Sequence, residues 1–321
     1  MPALLPPYPA VLARAIQNRI ASAAYPKLYQ ARARLPRYNL QEQARQFHRR
    51  AAEKGFGDLS LYYWYHTVDL GDGLVTPGSH DYRGSIEAFG FADDMSGMRV
   101  LDIGSATGFF AFEFESRGAE VVSVEVPSLE AMDRFPNQQP RQIIEKIAEM
   151  TAGQSSYTDE QFDTIFNQSS LTDFYEYFVD GPFRMCHKVR GSRVLRRYAT
   201  VYDIPQSDIG SDQFDLVFLG DLLLHTMHPV SALAAAASLC AERLVISQYL
   251  PLRLGSRPAA LYSGGDDVSF DHSTWWFLNF TCFEQVLKKL GFRDVRVVGR
   301  NTGVSRPNGS YYDRSVIHAV R

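Results

Sequence analysis

Apolar and polar positions change period several times along the chain, and each change predicts an element. Residues 99–103 (Arg-Val-Leu-Asp-Ile) are a short apolar run closed by the glycine-bearing turn 104–108, Gly-Ser-Ala-Thr-Gly. Short apolar runs bounded by turn residues read as buried strands. A helical stretch follows over 108–117, and then a second run, 120–124, that ends at Glu125. Strand, turn, helix and strand make one crossover unit of a parallel sheet. Further strands are expected at 198–201, 214–219, 243–247, 295–298 and 315–320, with a helix at 229–240. Thr281-Cys-Phe-Glu284 reads as a capping box that opens another helix, and Gly291 stops it.

Around this unit the pattern predicts three additions. Residues 10–24 carry apolar side chains at helical spacing (Val11, Leu12, Ala15, Ile16, Ile20). Asn39-Leu-Gln-Glu42 reads as the start of a second helix that ends near Gly55. Residues 61–95 are rich in aromatics, glycine and histidine, and their breakers predict loop with a short helix near 85–89. The stretch 136–195 is too long for a simple crossover. It predicts helices at 139–151 and 158–166, the latter opened by the capping box Thr158-x-x-Gln161. An insert at this point lies over the carboxyl edge of the sheet, where open α/β sheets bind ligands, so it reads as a lid or substrate domain. The expected organisation is a helical extension and aromatic lead-in over 1–95, covering the site, then a main domain over 96–321 interrupted by the insert.

The turn narrows the choice of ligand. A phosphate-gripping loop needs a lysine directly after its last glycine, and none follows Gly108. A dinucleotide fingerprint needs Gly-x-Gly-x-x-Gly, whereas Gly104 and Gly108 are separated by Ser-Ala-Thr. Asp102 beside the turn repels phosphate and suits a ligand with a cationic amine. S-adenosylmethionine (SAM) is such a ligand. Glu125 offers paired acceptors for the two hydroxyls of its ribose; the alternative is a surface acid that follows a strand.

Asp102-x-Gly104-x-x-x-Gly108, Glu125, Asp203 in Val-Tyr-Asp-Ile-Pro, and Phe214-Asp-Leu-Val-Phe-Leu-Gly220 resemble the ordered motifs of class I SAM-dependent methyltransferases, across roughly residues 96–321. A finer similarity is to the tRNA wobble-uridine methyltransferase and carboxymethyltransferase-like group. It rests on Gly220-Asp-Leu-Leu-Leu-His225-x-x-His228-Pro229 and Asn279-x-x-x-Phe283-x-x-x-Leu287-Lys-Lys-x-Gly291-Phe292. One departure is Ala106, where the family usually has a central glycine. The resemblance implies a Rossmann-like class I methyltransferase fold: a seven-stranded, mostly parallel α/β sheet with an antiparallel last strand. It implies that Asp102, Gly104, Ser105, Ala106, Thr107 and Gly108 hold the methionine part of SAM. Glu125 would hold the ribose and Asp203 the adenine, with Val126 and Ile204 as further cofactor-binding residues. Gly220 and Asp221 would stand beside the reactive methyl.

On the acceptor side, an oxygen nucleophile needs a general base, and the candidates are His66, His225, His272 and Asp221, with His80 as a further histidine. An amine or thioether acceptor needs none and favours aromatic walls. Trp64, Arg83, Tyr175, Tyr177 and Trp275 are the expected lining residues. His225 and His228 lie three apart with no third ligand in sequence, so no metal is expected.

Composition trims this picture. A net charge of −3 argues against general nucleic-acid binding. Residues 9–50, however, hold nine Lys or Arg against the single acid Glu42, either a solvated helix face or a surface for RNA. Cys186, Cys240 and Cys282 are scattered, which suits a reducing compartment and no structural zinc. No signal-type N-terminus or 18-residue apolar run is present, so a cytoplasmic protein away from membranes is expected. The function expected is methyl transfer from SAM to a small molecule. The alternatives are tRNA modification at a wobble uridine and non-catalytic SAM binding. A carboxylated SAM analogue needs basic residues near its carboxylate, and residues 66–98 supply Arg83 alone.

Overall fold

A computed structural model describes residues 40–151, 157–211, 213–251, 254–264, 274–306 and 310–321. The expected helix at 10–24, most of the basic stretch, and His272 lie outside the described residues.

Strand β1 (Arg99–Ile103) lies between β2 (Glu120–Glu125) and β4 (Phe214–Gly220), all parallel. Beyond them are β3 (Leu195–Tyr198) on β2 and β5 (Cys240–Gln248) on β4, also parallel. A long hairpin completes the sheet: β8 (Asp294–Ser305) pairs with β9 (Ser310–Val320), and β9 runs antiparallel to β5. The order is β3-β2-β1-β4-β5-β9-β8. Val100–Ile103 and Val121–Val124 are buried on both faces, as parallel strands covered by helices require. The direction of winding reverses between β1 and β4, so their carboxyl ends open the crevice in which such sheets take ligands.

Helix α1 (Leu40–Glu53) turns Phe47 and Ala51 inward. They share one core with Leu59, Trp64, Leu74 and Phe89 of the lead-in and with Val100 and Phe110. Residues 40–95 therefore pack as part of the sheet domain, and Leu40–Arg321 is one compact unit. Helix α2 (Phe109–Ser116) explains why. Phe109, Phe110, Ala111, Phe112 and Phe114 are all buried, so this helix is apolar almost all round and needs cover on both sides. At about 1.5–3 kcal/mol per buried phenylalanine, this layer is a main term in holding the lead-in over the crevice.

The insert contains α3 (Pro140–Thr151), α4 (Asp159–Asp163), α5 (Leu171–Tyr175) and α6 (Gly181–Arg190). Helices α4 and α5 each run on into one wide π turn, Thr164–Gln168 and Glu176–Asp180. The capping box Thr158/Gln161 is formed as expected, and Ser170/Asp173 makes a second. Phe166, Phe174 and Phe178 give the insert its own small core.

Three expectations are corrected. The third strand is Leu195–Tyr198, not 198–201: an Arg-Arg pair hides it from an apolar pattern, and pairing with β2 decides it. The late helix α8 (Phe280–Lys289) is capped by Asn279, whose side chain accepts from the Cys282 N–H, rather than by Thr281. Within the stretch 251–275 expected as loop, β6 (Ala260–Tyr262) pairs with β7 (Trp276–Leu278) as a two-stranded ribbon. Helix α7 (Pro229–Ser238) is close to its expected span.

Candidate active site

The turn after β1 is built from its own backbone and braced by its neighbours. Gly104 N–H donates to the Val124 carbonyl (2.8 Å) and Gly108 N–H to Ser105 (2.8 Å). Glu125 closes the turn: one carboxylate oxygen accepts from Ala106 N–H (2.9 Å) and the other from Val126 N–H (3.0 Å). Ala106 has φ 47°, a left-handed conformation that glycine adopts freely and alanine does not. Thr107 is fully buried, and its hydroxyl accepts from His66 N–H (3.0 Å), which ties the turn to the lead-in. Asp102 is buried below the turn with Oδ2 unpartnered among the described residues. Burial pushes its carboxyl up to about 7; Arg196 opposes the shift and Glu125 adds to it.

A cavity of about 450 Å³ opens from this turn. Asp102, Gly104, Ser105, Ala106, Glu125 and Val126 line one wall. The insert contributes Ile143, Lys146, Phe174 and Phe178, and the chain after β3 contributes Thr200 and Tyr202. The other wall holds Tyr65, His66, Tyr82, Phe218, Gly220 and Asp221. The volume lies in the range of small-ligand sites, roughly 300–1,000 Å³.

That second wall carries buried charge. Asp221 has φ 48° and is tied to β5 through its N–H and the Ser247 carbonyl (2.8 Å). Its Oδ2 accepts from Nε of Arg314 on β9 (2.5 Å), while Oδ1 is buried and unpartnered among the described residues. Burial raises the Asp221 pKa against the pull of Arg314. His80 stacks on Tyr65 with ring centroids 4.6 Å apart and stands 5.5 Å from Tyr312. Burial, aided by Arg314, pushes His80 down to about 4. His66 is held well below the usual histidine range, first by burial and then by His80, so its imidazole is neutral, with Nδ1 unpartnered among the described residues. Burial and then the Asp221 charge raise Tyr65 far above the ordinary phenol range.

The structure thus brings Asp102, Gly104, Ser105, Ala106, Glu125, Val126, Gly220, Asp221, His66 and His225 onto one cavity. Other expected residues are elsewhere. Thr107 braces the turn from behind, and Gly108 caps α2, where a Cβ would come within 2.7 Å of Phe112. Asp203 turns back to accept from Thr200 Oγ1 (2.5 Å), and Ile204 belongs to the core below the sheet. Trp64 packs edge-on against Phe47 in the lead-in core. Arg83 pairs with Asp81 at the surface. Tyr175 sits behind the wall and donates to the Val126 carbonyl. The backbone carbonyl of Tyr177 accepts from Tyr63 N–H, and its ring is off the cavity. Trp275 is buried, with its backbone N–H on the Leu224 carbonyl.

Tyr65, Tyr82, Lys146 and Arg314 were not foreseen. Tyr63 and Tyr65 line the cavity while Trp64 faces the core. That alternation is the side-chain period of extended chain, and it could have selected the tyrosines over the tryptophan. Arg314 gives no such signal. Among the described residues, no group of three or more His, Cys, Asp or Glu is placed to hold a metal, and no helix is long and apolar enough to cross a membrane.

No protein-family model and no curated protein matches the chain. Among solved structures, the chain is similar to the N-terminal domain of EvdMO1 in the presence of SAH and D-fucose, at 16% identity and a TM-score of 0.45, covering 86% of this chain and 97% of that one. It is also similar to magnesium protoporphyrin IX methyltransferase (ChlM) from Synechocystis PCC 6803 with bound SAM, at 14% identity and a TM-score of 0.34, covering 70% and 71%. Likeness at this level leaves the reading to the chain's own geometry. The strand order with β9 antiparallel, the glycine turn after β1 and the carboxylate ending β2 give the chain the Rossmann-like class I methyltransferase fold.

Proposed function

We propose that the protein is a SAM-dependent methyltransferase acting on a small-molecule acceptor. The observation that carries this reading is the single cavity that joins the Glu125-closed turn to the buried Asp221 wall. The residues fit the cofactor. Asp102 presents to a cationic amine a buried carboxylate oxygen with no partner among the described residues, and Glu125 holds both its oxygens at the cavity edge for a ribose diol. When bound, SAM supplies a methyl group already activated on a positive sulfur, so the protein's task is alignment and charge management.

Asp221 and His66 carry the acceptor side. The free Oδ1 of Asp221 accepts a hydrogen bond from an acceptor O–H or N–H and so orients its lone pair, while Arg314 keeps the carboxylate charged from behind. Held there, the acceptor lone pair would face the cofactor methyl, and the cofactor sulfur would keep the electron pair of the bond given up as the new bond to carbon forms. The proton then leaves the acceptor along its hydrogen bond to Oδ1 of Asp221, whose carboxyl burial makes easier to protonate, while the neutral imidazole of His66 lines the same wall. Tyr65, Tyr82, Phe110 and Phe218 exclude water. A small acceptor is favoured over tRNA because Lys146 is the only Lys or Arg lining the cavity among the described residues.

The test is calorimetric titration with SAM and with its demethylated product SAH. Wild-type protein should bind both, and Glu125→Ala should weaken each by about 10–100-fold, the worth of one or two charge-assisted hydrogen bonds. A folded wild-type sample that binds neither overturns the reading.

A further inference from the structure

Arg196 is a buried cation that none of the steps above uses. It stands on β3 in register with Ser123 of β2, which is in register with Asp102 of β1. Residues in one such row point to the same face, and neighbouring strands lie about 4.8 Å apart. An arginine can reach toward Asp102 only if the residue between them is small, and that residue is serine. The Nη1 of Arg196 donates to Ser123 Oγ (3.0 Å) and to Ser105 Oγ in the turn, and these two hydroxyls are 2.5 Å apart. The ring of Phe183, from α6, lies 4.2 Å from the guanidinium.

A guanidinium placed for packing alone should have its charge cancelled nearby, because an unpaired buried charge is costly. Here the side chain is 9% exposed, and Nε and Nη2 make no hydrogen bond among the described residues. Asp180 lies 3.7 Å from Nε, but its oxygens already accept from Tyr198 (2.7 Å) and Arg184 (2.6 Å). At the other end of the row, Oδ2 of Asp102 is also unpartnered. Three polar atoms of opposite charge are thus buried without a hydrogen bond among the described residues, along one row that ends at the cavity.

We propose that Arg196 is a positioning residue for the cofactor: from behind β2 it fixes the glycine turn through Ser105 and keeps Asp102 a carboxylate for the cationic amine of the cofactor's amino-acid end. The proposal rests on the SAM reading. Arg196 does not line the cavity, so it acts through Ser105 and Asp102. The groups that face Asp102 are Arg196 from β3, Glu125 from β2, the Ala111 backbone N–H from α2 and the uncharged Phe218 from β4. Arg196 alone favours the ionised form by charge. Because burial holds Asp102 near neutrality, binding a cationic amine releases protons at pH 6–7, and Arg196 sets where that release falls.

The experiment is titration of the whole protein with SAH and with 5′-methylthioadenosine, which keeps the nucleoside but lacks the amino-acid end, across pH 5.5–9. Proton release is read by repeating each titration in buffers of different ionisation heat. In wild type, SAH affinity should rise with pH through about 7 while 5′-methylthioadenosine stays flat. Arg196→Met should move the SAH midpoint up by at least about one pH unit, a loss of at least about fivefold at pH 7, and leave 5′-methylthioadenosine within about threefold. Arg196→Lys should bring the midpoint most of the way back, and Asp102→Asn should remove the pH dependence in either background. If Arg196→Met and Arg196→Lys weaken both ligands equally at every pH, or change neither, the proposal is overturned and the cofactor reading stands. If wild type binds no SAH, the cofactor reading falls and takes the proposal with it.

Discussion

One wall of the cavity comes from a single stretch, residues 102–126, while the other gathers Tyr65, His66, Tyr82 and Asp221, with Arg314 behind Asp221, from three distant segments. The first wall is held by backbone: Gly104, Ala106, Gly108 and Val126 all spend their N–H groups on its shape. The second is held by one buried ion pair and a stack of aromatic rings. A backbone-built wall tolerates side-chain change and depends on conformation. A wall built on buried charge is sensitive to loss of either partner and to protons. The two should therefore fail under different insults.

The sharpest contrast is expected at Arg314. Arg314→Met leaves Asp221 as a buried carboxylate without compensation and should cost about 3–5 kcal/mol of stability in denaturant titration. No exposed ion pair, such as that of Lys288 with Glu284, should cost more than about 1 kcal/mol. If Arg314→Met is as mild as a surface change, the second wall is not organised by that pair.

Next comes Asp102→Asn, which separates stability from binding within the first wall. The folded carboxyl has its pKa raised to about 7, above the ordinary 3.8, so the folded state binds more protons than the unfolded one between those values. Stability is thus lost as pH rises toward and through 7. Asparagine, which cannot ionise, should stabilise the protein at pH 8 by on the order of 2 kcal/mol and give no gain below about pH 4, while weakening SAH. Thermal unfolding at the two pH values decides it; an equal gain at both removes the burial argument.

His80 has the opposite sign. Its folded pKa is about 4 against 6.5 when unfolded, so the fold is destabilised as pH falls from 6.5 to 4. His80→Phe should flatten that part of the stability curve without moving its neutral end. The smallest effect is expected at Ala106. Glycine there should relieve the left-handed strain, about 1 kcal/mol, partly offset by the freedom glycine adds to the unfolded chain. An Ala106→Gly variant less stable than wild type argues that the methyl group packs usefully in the turn.

The legibility of these walls in the sequence follows from how they are built. Glu125, Ala106 and Asp102 could be named because a strand, a tight turn and a helix fix the geometry of a short segment from within. The loop after β3 was less legible: with β3 ending at Tyr198, the Asp203 carboxylate turns back onto Thr200, and Val201 and Tyr202 meet the cavity. In the lead-in, the aromatic cluster at 62–66 was visible as a lining segment, yet which member faces inward depended on a phase that only packing against α2 sets.

The chain alone determined the crossover unit, the order of its motifs, the capping box at Thr158 and the turn that Glu125 closes, because each rests on a short segment whose sterics and hydrogen bonds are local. Tertiary structure decided the rest. It placed Arg314 behind Asp221, Arg196 beneath the turn and His80 between tyrosines, since those contacts come from strand order and register, which bring residues tens to hundreds apart into one low-dielectric space where burial, rather than residue type, sets their charge.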